Sequence, residues 1–219
     1  MNSLLAITDA FTSVLELVMF GYGLARWEQL DRSRRLLTAW AGGWVMATGV
    51  MLLLSRRAGY SHMAMQLFLP LSVLLAMGAL AALQRTRRNR DVFRIVGALY
   101  AVVWAVVTFT LEDLGDFSII TGPIHHLLIT GAAAFTLQGA VRHAQGELLD
   151  DPAAVVSIGF ILFAAPTALV QPAIPVYEGE PMLAGLLTAR NLVAILGYAA
   201  LIRAIGLPRM NRRRVTVAA

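Results

Sequence analysis

The run LLTAWAGGWVMATGVMLLLS, residues 36–55, carries no charged side chain over 20 residues and lies between Arg34-Arg35 and Arg56-Arg57. A helix rises about 1.5 Å per residue, so some 20 apolar residues match the ~30 Å hydrocarbon core of a bilayer. The stretch therefore predicts a membrane-spanning helix whose ends are marked by arginine. The same pattern recurs along the chain and predicts seven spans: Ser3 to Arg26, Leu36 to Ser55, Tyr60 to Gln84, Val92 to Leu111, Gly122 to Val141, Ala153 to Val170 and Met182 to Leu207. Pro152 and Pro181 suit the first turns of their helices, and Gly122-Pro123 reads as a helix start with Pro123 first.

Composition agrees with a bilayer as solvent. The chain has 219 residues, of which 58% are hydrophobic and 14% charged, and its mean hydropathy is +0.69. These values lie outside the range of soluble domains, and the seven spans leave no room for a separate one. The expected fold is an all-α, polytopic integral membrane bundle of seven helices over residues 1–208, followed by an arginine-rich tail, 209–219.

All 18 basic side chains are arginine, and there is no lysine or cysteine. The arginines fix an expected orientation, because short loops rich in Lys or Arg stay in the cytoplasm. Arg26, Arg32, Arg34 and Arg35 follow the first span, Arg85, Arg87, Arg88 and Arg90 the third, and Arg209 and Arg212 to Arg214 the last. The opposite loops hold Glu112, Asp113 and Asp116, then Glu178 and Glu180. This predicts the N-terminus outside and the C-terminal tail in the cytoplasm of a prokaryotic inner membrane. Arg56 and Arg57 dissent, and the loop after the fifth span is weak evidence, since Arg142 is offset by Glu147, Asp150 and Asp151. The pI near 10.4 does not indicate nucleic acid, since the arginines flank apolar spans rather than a soluble basic face. The start Met1-Asn2-Ser3 lacks a basic region, and Asp9 and Glu16 interrupt the first apolar stretch, so a cleaved signal peptide is not expected.

Polar residues inside the spans are the functional candidates, since a charge at the bilayer centre costs roughly 2.5–3.5 kcal/mol even on insertion scales. Asp9, Thr12, Ser13 and Glu16 fall on one stripe of the first helix, which is expected to face protein or water. Arg190, followed by Asn191, lies well inside the last span and needs a carboxylate; Glu16 or Asp9 is the expected partner, bringing first and last helices together. Arg94 and Arg203 lie near helix ends, where they can snorkel. His62, Gln66, His125 and His126, with Gln171, are expected near the outer side. Imidazoles beside carboxylates suit a divalent metal or a pH-sensitive site, with His62, His125, His126 and Asp116 as candidate ligands, and a haem between the third and fifth helices is a further option. No two histidines have His-x-x-x-His spacing, and neighbours 100° apart predict that at most one of His125 and His126 faces a given site. No cofactor is expected.

Aromatic stripes Trp40, Trp44, Thr48 and Tyr100, Trp104, Thr108 read as packing surfaces, Trp27 as an interfacial anchor, and Pro70 and Pro166 as points that loosen their helices. Gly43 with Ala47, and Gly131 with Ala132 and Ala134, offer smooth faces for neighbouring helices or a second copy of the chain.

Seven helices with the N-terminus outside resembles the layout of microbial rhodopsins, whose chemistry requires a lysine in the last helix; Arg190 and Asn191 stand there, and without any lysine a covalent retinal is excluded. The helix number is also similar to membrane hydrolases of the adiponectin-receptor and haemolysin III group, whose zinc site implies histidines in the last span; here it has none. The arginine-bounded spans are broadly similar to the seven-helix input domains of bacterial sensor kinases.

The function expected from these features is an outward-facing polar cavity lined by Asp9, Glu16, His62, Gln66, Glu112, His125, Gln171, Arg190 and Asn191. It would bind a small molecule or cation, as a transporter, channel or sensor. The inner half offers mainly Thr38, Thr136 and Gln138, which favours binding over conduction. The alternatives are a scaffold subunit of a larger membrane complex with no ligand of its own, and an intramembrane enzyme using Asp9 or Glu16 as general acid on an apolar substrate.

Overall fold

Where backbone amides have no water to bond, long apolar runs close their hydrogen bonds within a helix, and the chain follows this rule throughout. The computed structural model describes residues 3–54, 63–112, 118–143, 147–178 and 180–208. Within them lie seven helices: α1 (Ser3–Ala25), α2 (Arg32–Leu54), α3 (Met63–Leu83), α4 (Arg87–Thr110), α5 (Thr121–Arg142), α6 (Pro152–Val170) and α7 (Pro181–Gly206). No strand occurs among the described residues. All seven helices are long and apolar enough to cross a membrane, and together they suggest a multi-pass membrane protein. Arg56, Arg57, His62, Asp116 and the 209–219 tail lie outside the described residues.

The helices alternate in direction. Arg34, at the start of α2, reaches the backbone carbonyls of Leu207 and Pro208 just beyond α7, and Tyr100 on α4 donates to the carbonyl of Thr121 at the start of α5, 3.0 Å away. One end of the bundle, the amino end, therefore holds the starts of α1, α3, α5 and α7, and the carboxyl end holds their finishes. Neighbours in space run α1–α2–α3–α5–α6–α7 and back to α1, closing a ring, while α4 lies outside it, mainly against α3. The first and last helices do pack together, as the buried arginine requires.

The helix starts differ from the sequence reading in a consistent way. α2 and α4 begin a full turn early, at Arg32 and Arg87, because arginine is a good helix former and nothing at the membrane edge stops the ladder. Thr86 caps α4 by accepting from Asn89 N at 3.2 Å, and Arg87 and Arg94 both pair with Asp91. α5 begins at Thr121, so Pro123 is its third residue rather than its first; the two added residues are held by a side-chain cap described below. Pro152 and Pro181 open α6 and α7 as expected, and α3 and α6 continue through Pro70 and Pro166.

Aromatic rings fill the centre. Trp40 is fully buried and meets Phe160 and Phe163 of α6, each at 5.2 Å between centroids, and Tyr198 of α7 at 6.5 Å. Such edge-to-face pairs contribute about 0.5–1.5 kcal/mol each beyond burial. Trp40 and Tyr100 are thus buried packing residues. Of the small-residue faces, Gly43 abuts Phe68, whereas Gly131 faces open space, so the expected contact there is not an internal one. Helices α6 and α7 approach closely at Gly159 and Gly197, where a Cβ on Gly197 would lie 2.8 Å from the Gly159 carbonyl oxygen. In lipid, where burying apolar surface between helices gains little, such backbone proximity is a main source of attraction.

Candidate functional site

Two rungs join α1 to α7, seven residues apart on each helix and so about 10 Å apart along the axis. In the upper rung Asn191 stands between two charges. Its Oδ1 accepts from Arg190 Nε at 3.0 Å and Nη2 at 2.6 Å, and its Nδ2 donates to Asp9 Oδ1 at 2.5 Å and to Thr8 Oγ1 at 3.2 Å. Arg190 Nη2 itself is 3.9 Å from Asp9 Oδ1. The Asp9 carboxylate thus is the partner of Arg190, largely through the amide of Asn191. The Asp9 side chain is 54% exposed and that of Arg190 25%, so this rung forms the accessible edge of the network.

In the lower rung the Tyr198 hydroxyl donates to Glu16 Oε1 at 2.5 Å. Glu16 is therefore not the arginine's partner; a phenol has taken that place. Thr12 and Ser13, the remaining members of the polar stripe, turn their hydroxyls back to the carbonyl of Asp9 and satisfy themselves within α1.

Behind these rungs lies a third polar group, built on α2, α3 and α5. Trp40 Nε1 donates to Ser72 Oγ at 2.8 Å, and Ser72 Oγ is 3.0 Å from His125 Nε2. An indole nitrogen can only donate, so Ser72 accepts from it. The serine's own hydrogen then has one acceptor among the described residues, His125 Nε2, which leaves the imidazole proton on Nδ1. Among the described residues that Nδ1–H meets no acceptor, and neither His126 Nδ1 nor the Trp44 indole N–H has a partner. Trp44 and His125 are ring neighbours at 6.3 Å, and the two imidazoles lie 4.4 Å apart. Phe163 of α6 lies against both His126 and Tyr198, at 5.8 and 5.4 Å between ring centroids, which links the third group to the rungs.

Both histidines are buried, with His125 0% and His126 4% exposed, although neighbours on a helix point about 100° apart. The reason is position. α5 packs between α3 and α6, so a wide arc of its surface is interior, and Phe163 of α6 meets His126 at 5.8 Å. Gln66 on α3 is also buried.

The chain matches no known protein family, no curated protein and no solved structure.

Two residues assigned to the cavity by sequence serve another local purpose. The Glu112 carboxylate accepts from Ile120 N at 2.6 Å, from Thr121 N at 3.2 Å and from Thr121 Oγ1 at 2.6 Å. Ser118 Oγ accepts from Gly122 N at 2.7 Å. Together they cap α5, and a carboxylate at a helix N-terminus is stabilised by the helix dipole as well. Gln171 donates to the Ser118 carbonyl at 3.3 Å and fits against Gly122, where a Cβ would lie 2.0 Å from its Nε2. Among the described residues no cluster of three or more His, Asp or Glu side chains could hold a metal, while His62 and Asp116 lie outside them.

Arg34 was missed. Read as a loop arginine marking topology, it is a helical residue whose side chain is 3% exposed, pairing with Asp31 at 3.5 Å as well as with the carbonyls beyond α7. Ser72, Trp40 and Tyr198 were also not singled out as polar partners; for Tyr198 the signal was available, since it follows Asn191 by the same seven residues that separate Asp9 from Glu16.

Proposed function

We propose that the chain is a multi-pass protein of a prokaryotic cytoplasmic membrane whose polar interior binds a small molecule entering from the outer side. The orientation is supported by charge. The carboxyl end gathers Arg26, Arg32, Arg34, Arg35, Arg85, Arg87, Arg88 and Arg90, whereas Glu112, Glu178 and Glu180 lie at the amino end, which by the positive-inside rule faces out.

The binding reading rests on one observation, that buried hydrogen-bonding atoms on the neighbouring rings of Trp44, His125 and His126 have no partner among the described residues. Leaving a buried donor unmade costs about 1–3 kcal/mol, so such a group calls for a partner from outside the chain. The ligand chemistry follows from which groups are left over. The interior carboxylates are engaged, Asp9 by Asn191 and Arg190 and Glu16 by Tyr198, while the free groups include two N–H donors. A carbonyl or carboxylate compound therefore suits the site better than a cation, and the site acts as a receptor or the binding step of a carrier.

The test is thermal unfolding in detergent with small carboxylates and amides, set against sodium and choline chlorides. An acceptor-bearing solute should raise the midpoint of the wild type and not of His125→Phe. A His125-dependent rise with cations alone, or none with any solute, contradicts the reading.

A further inference from the structure

At the carboxyl end a cavity of about 610 Å3 opens between the finish of α3, the start of α4, the last turns of α5 and the start of α6. Its volume is in the range of small-ligand sites, and its lining combines two characters. Arg85 and Arg142 give it positive charge and His143 an imidazole, while Leu83, Phe135 and Ala153 give it an apolar wall.

The charges are available. Among the described residues no carboxylate pairs with Arg85 or Arg142; Asp91 pairs instead with Arg87 and Arg94, and Asp150 with Arg203. Asp151 is the one carboxylate in the lining, and it caps α6 by accepting from Ala153 N at 2.8 Å. His143 Nδ1 lies 2.8 Å from the Gly139 carbonyl, to which it must donate, so Nε2 is the nitrogen left for the cavity. The floor is rigid, since buried Gln84 donates to Thr136 Oγ1 at 2.8 Å and to the Leu80 carbonyl at 3.2 Å, tying α3 to α5.

We propose that this cavity seats the phosphate headgroup of an anionic membrane lipid. Guanidinium groups recognise phosphate oxygens by paired N–H donors, and basic pockets between helices at the cytoplasmic face are suited to such headgroups. A free phosphate shares that chemistry but has no use for Phe135, which is 49% exposed beside the arginines; the first carbons of an acyl chain do. The proposal rests on the membrane placement above but not on the central ligand site.

The test uses the purified full chain in non-ionic detergent. Its thermal midpoint is measured with phosphatidylglycerol, with phosphatidylcholine of the same acyl chains, and with inorganic phosphate. Phosphatidylglycerol should raise the midpoint clearly more than phosphatidylcholine, and inorganic phosphate should not. Arg85→Gln/Arg142→Gln should abolish the difference between the two lipids, Arg85→Lys/Arg142→Lys should retain most of it, and Arg87→Gln/Arg88→Gln, outside the cavity, should leave it intact. Equal effects of the two lipids overturn the proposal, as does a glutamine pair that keeps the preference. A full effect of inorganic phosphate overturns it in favour of a free-anion site. A chain that stays folded and dispersed once detergent is removed overturns the membrane placement instead.

Discussion

The amide of Asn191 on α7 donates to the carboxylate of Asp9 on α1 across 2.5 Å, and the same side chain's oxygen accepts twice from Arg190. A neutral residue thus carries an ion pair whose own partners are 3.9 Å apart. Asn191→Ala removes both halves of the bridge and leaves a mostly buried guanidinium with a distant carboxylate. The expected loss is about 1–3 kcal/mol, read as a lower unfolding midpoint in detergent. Asp9→Asn should lose less, because that side chain is half exposed and the amide oxygen can still accept.

Tyr198 and Glu16 form the second rung, a hydrogen bond between side chains of the first and last helices. Tyr198→Phe and Glu16→Ala should each destabilise, and the double variant should lose less than their sum. A coupling energy of about 1–3 kcal/mol is expected from the double-mutant cycle. Additive losses would mean that the two side chains do not share a bond.

Two glycines on similar helices should respond in opposite ways to the same change. Gly197→Ala drives a methyl group to within 2.8 Å of the Gly159 carbonyl, a backbone atom that cannot move aside, and should cost about 1–3 kcal/mol. Gly131→Ala meets nothing within 4 Å and should be neutral or stabilising by up to about 1 kcal/mol through helix propensity.

The absence of cysteine makes every introduced thiol unique. In intact cells a membrane-impermeant maleimide should label Glu178→Cys, at the amino end, and should reach Arg88→Cys only after the membrane is opened. The reverse pattern would invert the orientation.

The existence and order of the helices were legible because apolar length and flanking arginine are set by the bilayer, the same constraint for every span. The beginnings of α2 and α4 were not, since the arginines that mark the membrane edge also continue a helix. The Asp9–Arg190 pairing could be read from the expense of burying an unpaired charge, a rule that names the need but not the geometry. It could not place Asn191 between them, nor give Glu16 to Tyr198 rather than to the arginine. Arg34 shows the limit of treating arginine as a topology signal, because a guanidinium at a helix end can equally be turned inward onto the carbonyls that close α7. The Trp40–Ser72–His125 chain joins three helices, and no spacing within one helix records it.

The direct test of a polar interior open to the outer side is the reactivity of His126→Cys with a small hydrophilic methanethiosulfonate added outside, compared with Ser3→Cys at the same end. With the variant folded, the thiol at 126 should react on the time scale of the control and be slowed by any solute that raises the wild-type midpoint. A folded His126→Cys protein whose thiol stays unmodified while Ser3→Cys reacts to completion would contradict the account.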